Sequence, residues 1–375
     1  MADGSHCEIA YGRNGGHTNM SEELLPGVKA PPERLHKAGN IVHYALWKEI
    51  SADVLRAGEV ALQTIFLQDC KKSNISPKEA KNFIWIFDLK PEGISSQDFY
   101  NFYQYLIFKL KIPSSNIRVA FSAVEDVTLL PYPAVSLPDR LIYNGNWYMH
   151  LENYHIDWST IPITHKLVCL MRRASIGRGN LAKRLLAKID VNDMIMTFGT
   201  NGVDTSEEVK NLVYPQPFPM IVDRPMADQV FQHRIDHQKF YQAPLNLVVE
   251  SSGQIDPNTW RSIFITEKTF KALAWHQFPI WYAVPGLVAE VRKMGFDVFD
   301  DVFDNHAYDQ TQDPWVRMTQ VVQLVAGVCK NTDLASMRKQ HWSRLENNAN
   351  LIKHIHDTAL EKHKQALDGL INGTF

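Results

Sequence analysis

Short apolar runs that alternate with helical patterns constrain the fold of this chain more than any other feature. In the first half, the runs Phe83 to Phe87 and Ile117 to Phe121 enclose a segment, 96–110, with apolar residues at helical spacing. In the second half, a helical pattern over 180–188 follows the run Leu167 to Met171 and precedes a further short run, 194–197. The run Leu245 to Val249 is again followed by a helical pattern. A strand, a helix and a strand at this spacing predict a βαβ unit and therefore a parallel sheet. Because the series occurs twice, we predict an α/β fold with two Rossmann-like doubly wound domains and a C-terminal helical extension.

The length and composition fit a globular protein of two domains. The 375 residues suffice for two domains, and 45% hydrophobic with 21% charged residues is typical of soluble chains. A formal net charge of −2 excludes a surface that is basic throughout, although a local basic patch remains compatible with it. The 4 cysteines include no Cys-x-x-Cys pair, so they indicate neither a zinc site nor an oxidising compartment. No run of about 18 apolar residues occurs, so we expect no membrane span and a cytoplasmic location.

Changes in composition divide the chain into four parts. The beginning is rich in Gly, Asn and His and lacks periodicity, so we expect a disordered leader over 1–20. The two strand–helix series predict an N-terminal α/β domain over 21–163 and a second α/β domain over 164–330. Spaced apolar residues among many charges then predict amphipathic helices over 331–375.

The segment from Trp260 to Gly286 combines a helix start with a charged pair. Thr266 predicts an N-cap, because its hydroxyl can accept a hydrogen bond from an amide of the first turn. Glu267 follows where the helix dipole favours a carboxylate, and Lys268 lies beside the N-terminus, which favours anions. An apolar stripe at helical spacing and a short buried run that ends in Pro-Gly follow. The segment therefore predicts a loop, a capped helix, a strand and a turn, with an anion site formed by the ammonium and free N–H groups at the helix start.

This segment resembles the donor-binding motif of fucosyltransferase-like and exostosin-like glycosyltransferases of the GT-B class. In those families a Glu-Lys pair opens a helix of the C-terminal nucleotide-sugar domain, and the next strand carries a Pro and ends in a Gly turn. Thr266-Glu267-Lys268 and the segment Pro279 to Gly286 match that pattern. The resemblance covers this motif well and about half of the chain loosely. It implies a GT-B-like arrangement in which the N-terminal domain faces the acceptor and the last helix crosses back onto it.

The resemblance also implies a nucleotide-sugar donor and the residues that bind it. The departing nucleoside diphosphate gains negative charge, which Lys268 and the helix N-terminus would stabilise. Similar enzymes place a basic residue just after the first strand of the donor domain, and Arg172 or Arg173 fits that position. The loop 175–179 is either a further phosphate contact or an ordinary solvated turn, whereas Glu267 would accept from ribose hydroxyls. The expected donor-binding residues are Arg172, Arg173, Glu250, Thr266, Glu267 and Lys268.

Carboxylates that follow the first domain's strands are candidate catalytic bases. An inverting transferase needs a base that takes the acceptor proton, and ligands of doubly wound sheets bind beyond the carboxyl ends of strands. Asp88 follows the run 83–87, whereas Glu125 and Asp126 follow the next strand. Asp88 is the first candidate to test and Glu125 and Asp126 are held in reserve, although the sequence does not rank the three firmly. The alternative for Asp88 is a turn residue whose side chain bonds nearby backbone.

The aromatic-rich segment 141–158 is the candidate acceptor wall. Trp147, Tyr148 and His150 would supply stacking faces and hydrogen-bond donors, although a packed connector explains such residues equally well. The acceptor stays open: a glycan, a lipid-linked sugar, a protein, or a modified base in DNA, as some viral glycosyltransferases use. Golgi members of the class carry a membrane anchor, so this chain looks more like a bacterial or viral enzyme that works in the cytoplasm, the host's if viral.

Other chemistries remain as alternatives. The acidic segment from Phe296 to Asp309 lacks the Asp-x-Asp spacing of metal-dependent glycosyltransferases, so we expect no metal and no cofactor besides the nucleotide-sugar co-substrate. Another nucleotide-dependent transferase, such as a phosphotransferase, could use the same anion site, but no Walker A loop is present. A non-catalytic nucleotide- or sugar-binding α/β protein is the second alternative. The sequence does not decide the oligomeric state.

Overall fold

The computed structural model describes residues 35–45, 59–89, 96–121, 124, 126–137, 160–202, 242–250 and 263–372. Its internal contacts divide the chain into two compact units. The first unit comprises Met1–Asn144, Arg261–Phe264 and Thr358–Phe375, and the second comprises Gly145–Trp260 and Ile265–Asp357. Each unit contains one sheet of mainly parallel strands together with helices, so the predicted α/β class is confirmed. The finer GT-B arrangement and the domain limits stay predictions.

The first unit contains a five-stranded sheet whose spatial order follows the chain without reversal. Strand β1 is antiparallel to β2, and the remaining pairs are parallel. A doubly wound order is therefore not shown by the described part of this unit. Its strands and helices are β1 (Leu35–Ala38), β2 (Ile41–Ala45), α1 (Glu59–Lys72), β3 (Ile84–Leu89), α2 (Ser96–Phe108), β4 (Ile117–Phe121) and β5 (Ala134–Ser136).

The second unit contains a four-stranded parallel sheet in the order β7-β6-β8-β9. Its strands are β6 (Leu167–Ala174), β7 (Met194–Gly202), β8 (Leu245–Val249) and β9 (Phe278–Tyr282). Its helices are α3 (Ile176–Leu186), α4 (Glu267–Ala274), α5 (Leu287–Lys293), α6 (Asn305–Asp309), α7 (Pro314–Asn331), α8 (Leu334–Gln340) and α9 (Trp342–Asn372), of which residues 358–372 belong to the first unit. Among the described helices, none is both long enough and apolar enough to cross a bilayer.

An aromatic cluster fills the core of the first unit. Trp85 and Phe87 alternate with Ile86 along β3, so their side chains share one face of the sheet. Phe66 of α1 lies with its ring centroid 5.0 Å from that of Trp85 and 5.4 Å from that of Phe102 of α2. Tilted and edge-to-face pairs of this kind add about 0.5–1.5 kcal/mol each beyond the area they bury. These contacts fix both helices against one face of the sheet.

The end of α9 packs against the opposite face of the same sheet. Ile86 and Ala120 form a buried cluster with Leu370. The buried guanidinium of Arg118, on β4, donates hydrogen bonds to the carbonyl oxygens of Leu370 and Ile371. Carbonyls of the last helical turn have no partner within the helix, and a cation there also complements the helix dipole.

Helix α3 begins four residues earlier than the sequence predicts. Ser175 is its N-cap, and the serine Oγ accepts from the backbone N–H of Arg178 at 3.3 Å. Gly177 and Gly179 are buried in the helix. The prediction of a loop over 175–179 is therefore wrong, since the segment is the cap and first turn of a helix. The serine cap outweighs the low helix propensity of the glycines.

Helix α7 is absent from the sequence-based prediction although it carries clear signals. The carboxylate of Asp313 accepts from the backbone N–H groups of Trp315 and Val316, at 2.8 and 2.9 Å. Pro314 occupies the first turn, where its missing N–H costs nothing and its φ suits a helix. An Asp-Pro pair before spaced apolar residues thus predicts this helix in retrospect.

The acidic segment 296–309 uses its carboxylates within the fold. Asp297 and Asp301 both accept hydrogen bonds from the guanidinium of Arg344, and the two bonds to Asp301 are 2.6 and 2.8 Å long. Arg292 pairs with Asp300 at 2.8 Å. The hydrogen bond from Arg344 lowers the pKa of Asp301. Within the described ranges, no three His, Cys, Asp or Glu side chains are grouped so as to hold a metal ion.

The Arg118 contact gives a first prediction. Arg118→Met should loosen the end of α9, because a hydrogen bond to a charged donor contributes about 1.5–3 kcal/mol. We expect amide hydrogen exchange over 366–372 to accelerate about tenfold or more, while exchange in α3 stays unchanged. Equal exchange in wild type and variant would show that this contact does not hold the helix end.

A buried histidine gives a second prediction. The ring of His276 stacks on Trp342 at 5.0 Å, and burial, followed by the charge of Arg338, lowers its pKa from 6.5 to about 4. The unfolded chain therefore binds more protons between these pH values, so the free energy of unfolding should fall as pH decreases from 6.5 to 4, by up to about 3 kcal/mol from this group.

His276→Asn is the variant that tests this, because asparagine tolerates the left-handed φ of +54° found there. Urea unfolding at pH 7 and pH 4.5 should show a smaller loss of stability in the variant than in wild type. Parallel pH dependences in the two proteins would contradict the assignment of a buried neutral histidine.

Candidate functional site

The strand order of the second unit creates a topological switch point between β6 and β8. From β6 the chain proceeds to β7 on one side, and later to β8 and β9 on the other side. In open parallel sheets, ligands bind in the crevice beyond the carboxyl ends of the two strands at such a reversal. The described strands of the first unit contain no comparable reversal. The carboxyl ends of β6 and β8 are therefore the candidate site.

The end of β6 brings Arg172 and Arg173 to this edge of the sheet. Met171 pairs with Phe198 but Arg173 pairs with Asn201, so β7 advances by one residue more than β6. Such bulges are frequent next to functional sites, where they change the direction of a side chain. The strand predicted from the sequence ended at Met171, and the bulge was not predicted.

The register between β6 and β8 relates these arginines to the next strand. Leu167 pairs with Leu245 and Val168 with Asn246, an offset of 78 residues in both pairs. Arg172 and Arg173 lie further along β6 toward its carboxyl end, and Glu250 directly follows β8. The carboxyl ends of the two switch-point strands thus carry residues of opposite charge.

Glu250 directly follows β8 and is 1% exposed. Its Oε1 accepts from the backbone N–H of Thr266 at 3.1 Å and from the hydroxyl of Thr269 at 2.6 Å. Its Oε2 accepts from the Thr266 hydroxyl. The expectation was a donor-binding glutamate, and the structure shows a buried carboxylate bound to the start of α4.

Thr266 caps α4 as the sequence predicts. Its Oγ1 accepts from the backbone N–H of Lys268 at 3.3 Å, and its carbonyl oxygen accepts from the N–H of Thr269 at 3.2 Å. Two amides of the first turn are therefore satisfied inside the helix. The expectation that free N–H groups meet a ligand here is wrong for these two amides. Any affinity for an anion at this helix start therefore comes from the helix dipole and the charged side chains.

Lys268 presents its ammonium at the capped helix start. The Nζ donates to Thr266 Oγ1 at 3.1 Å and lies 3.7 Å from Glu250 Oε2 and 3.9 Å from Glu267 Oε1. The side chains of Lys268 and Glu267 are 29% and 32% exposed. These two side chains of the motif are thus accessible to a ligand, whereas Glu250 and Thr266 are buried.

The charge balance of the cluster limits what it can bind alone. Glu250, Glu267 and Lys268 together carry a formal charge of −1. A helix N-terminus contributes about half a positive charge, which does not offset this. A diphosphate therefore requires further cations, and Arg172 and Arg173 are the basic residues that the neighbouring strand brings to the same edge.

A series of buried hydrogen bonds connects Thr269, at the start of α4, to β9 and α6. Trp281 Nε1 donates to Thr269 Oγ1 at 3.2 Å, and the backbone N–H of Trp281 donates to the Tyr308 hydroxyl at 3.3 Å. Tyr308 in turn donates to Asn305 Oδ1 at 2.8 Å. Thr269 and Trp281 are not among the site residues predicted from the sequence. The available signal was a threonine on the buried stripe of α4, where a polar residue needs a partner.

The second helix start of the motif, at α5, is occupied by the protein itself. Gly286 adopts a φ of +84°, and the carboxylate of Asp309 accepts from the amides of Val288 and Ala289 at 3.0 and 3.1 Å. Burial raises the pKa of Asp309. Within the described motif, the start of α4 is therefore the better candidate for an external anion.

The predicted catalytic bases remain in the first unit. Asp88 lies inside β3, where its backbone pairs with Ala45 and Ala120, and the strand continues to Leu89. The alternative of Asp88 as a turn residue is therefore wrong. Asp126 is exposed and caps a short 3-10 turn, accepting from the N–H and hydroxyl of Thr128 at 3.2 and 2.6 Å.

The other expected site residues lie outside the described part of the chain. One is the candidate base Glu125, and three are the candidate acceptor residues Trp147, Tyr148 and His150. For Asp88, Arg172 and Arg173 the structure describes the backbone but not the side chain. Their functional roles stay predictions.

Comparison with known proteins adds no assignment to this site. No protein-family model, curated protein or solved structure matches the chain. What supports a site here is the strand order of the second unit and the contacts at the start of α4.

The double role of Thr266 gives a third prediction. Thr266→Val removes the cap of α4 and leaves Glu250 Oε2 without its hydroxyl donor, so the free energy of unfolding should fall by about 3 kcal/mol. Asp313→Ala, the matched control, removes the cap of α7 without orphaning a buried charge and should cost about 1 kcal/mol. Urea unfolding of both variants checks this. Equal losses would show that Glu250 does not depend on Thr266.

Proposed function

We propose that the chain is a glycosyltransferase that binds a nucleotide-sugar donor at the switch point of its second unit. The observation that carries the proposal is the ammonium of Lys268, held at the start of α4 beside the carboxyl end of β8. Parallel sheets bind nucleotides at this place, and helix starts favour phosphates. In this proposal, the resemblance of the motif to GT-B glycosyltransferases is the basis for the donor class and for the two-domain arrangement. The cytoplasmic location stays an expectation from the sequence.

The charged side chains of the site have complementary roles toward such a donor in this proposal. Lys268, with Arg172 and Arg173, neutralises the diphosphate as it departs and gains charge. Glu267 accepts hydrogen bonds from the ribose hydroxyls. Sugar transfer passes through an oxocarbenium-like transition state, so stabilising the leaving group lowers the barrier directly. An inverting reaction also needs a base for the acceptor proton, for which Asp88, Glu125 and Asp126 remain the candidates.

The acceptor is a hydroxyl of a glycan or of a modified base in DNA. The aromatic segment with Trp147, Tyr148 and His150 supplies its stacking surface in this proposal. Duplex DNA would compete with a glycan for the enzyme in a salt-dependent way, because phosphate contacts release counterions. A glycan acceptor would show no such dependence.

The fourth prediction tests the donor site. Calorimetric titration of the full chain with a panel of nucleoside diphosphates and nucleotide sugars should identify a binder. Lys268→Met should weaken its affinity at least tenfold, because a hydrogen bond to a charged group contributes about 1.5–3 kcal/mol. Lys293→Met, at an exposed lysine paired with Glu290 in the same unit, is the matched control and should leave affinity unchanged.

Turnover separates the proposed enzyme from its alternatives. Incubation of the bound nucleotide sugar with glycan and DNA acceptors, followed by mass spectrometry, should show transfer or slow hydrolysis of the sugar. Binding without any turnover would favour the non-catalytic binding protein. Unchanged affinity in a folded Lys268→Met variant would contradict the assigned site.

A further inference from the structure

We propose that Glu250 is a positioning residue that acts on a bound diphosphate through Lys268 and makes no contact with the ligand. This inference rests on the proposed function and assigns a distinct role to a residue that the sequence places among the donor contacts. Its basis is the set of contacts that the Glu250 carboxylate makes with the first turn of α4.

Burial and internal contacts keep the carboxylate of Glu250 out of reach of a ligand. An ionised carboxylate offers about four acceptor positions. Three of them are taken by the amide and hydroxyl of Thr266 and by the hydroxyl of Thr269, and the ammonium of Lys268 lies 3.7 Å from Oε2. At 1% exposure, a ribose hydroxyl could reach it only by displacing the start of the helix.

The same carboxylate fixes the direction of the Lys268 side chain. A lysine has a flexible four-carbon stem and three donor positions on its ammonium. Thr266 Oγ1 receives one N–H at 3.1 Å, and Glu250 Oε2 orients both that hydroxyl and the positive charge. The ammonium is thereby held near the first turn while 29% of the side chain stays exposed.

Glu250 could also oppose binding, since its negative charge repels a phosphate. Two features favour positioning as the larger effect. The charge is spread over three hydrogen-bond donors, which reduces the field that reaches a ligand. The lysine, by contrast, would have to be ordered anew for each binding event, and ordering one long side chain changes affinity by about three- to tenfold.

A double-mutant cycle in the full chain measures this coupling. The probe is uridine diphosphate or guanosine diphosphate, whichever wild type binds more tightly in calorimetry. Glu250→Gln keeps the shape of the side chain but removes its charge. It should weaken the affinity of the wild-type background about three- to tenfold, and that of the Lys268→Met background less than about twofold.

Asp309→Ala is the control for a merely structural loss. It removes the carboxylate that accepts from the first amides of α5 and leaves the residues around Lys268 in place, so stability should fall while nucleotide affinity changes less than about twofold. If Glu250→Gln does not fold, the cycle uses Glu250→Asp, which keeps the charge and withdraws the carboxylate from Lys268 by one methylene.

The outcomes separate this inference from the proposed function. Loss of affinity in Lys268→Met together with equal effects of Glu250→Gln in both backgrounds would overturn the positioning role alone. Tighter binding by Glu250→Gln would do the same, by showing that repulsion is the larger effect. Equal weakening of affinity by Asp309→Ala and Glu250→Gln would reduce the role of Glu250 to structural support. Absence of nucleoside diphosphate binding by wild type would overturn both proposals.

Discussion

The buried carboxylate of Glu250 is the contact on which the candidate site depends. A charge removed from water is costly unless hydrogen bonds replace its hydration. Here the replacement comes from Thr266 and Thr269, which lie 16 and 19 residues further along the chain. The contact therefore ties the end of β8 to the start of α4, and it does so with groups that also cap the helix and orient Lys268. Removing the carboxylate would disturb the cap, the ammonium and the strand end together.

Electrostatics then decide what the site can do. A cluster with two carboxylates and one ammonium is not by itself a diphosphate site. In the proposed donor site, the additional positive charge comes from Arg172 and Arg173 at the carboxyl end of β6. The reversal of strand order between β6 and β8 makes that meeting possible. Glu267 and Lys268 are partly exposed, whereas Glu250 and Thr266 are buried. This difference agrees with the proposal that the first two residues meet the ligand and the other two hold them in place.

Local signals predict much of this fold, and tertiary contacts decide the rest. The strands Ile117–Phe121 and Leu245–Val249 occur as predicted, because short apolar runs between turn residues leave few alternatives. The Thr266 cap also follows from residues within one helical turn. The start of α3 was missed because Gly177 and Gly179 suggest a loop, and a capping serine decides otherwise.

The role of Glu250 lies beyond local reasoning of that kind. A glutamate after a buried strand is equally compatible with a ligand contact and with an internal partner. The distinction depends on the hydroxyls of Thr266 and Thr269, which lie 16 and 19 residues after Glu250. No rule of sequence spacing predicts that these groups contact the carboxylate. The strand order is a similar case, since the sequence predicts parallel strands but not that β6 has β7 on one side and β8 on the other. Asp126 caps a 3-10 turn, a local contact that the sequence analysis did not predict, and its catalytic role stays a prediction.

The most direct test of the central claim is a crystal structure of the full chain with the nucleoside diphosphate that it binds most tightly. We expect the diphosphate beyond the carboxyl ends of β6 and β8, with a phosphate oxygen within hydrogen-bonding distance of Lys268 Nζ and Glu250 still bound to Thr266. A nucleotide bound elsewhere would contradict the account, for example in the surface pocket that Arg184, Trp315 and Thr319 line between α3 and α7.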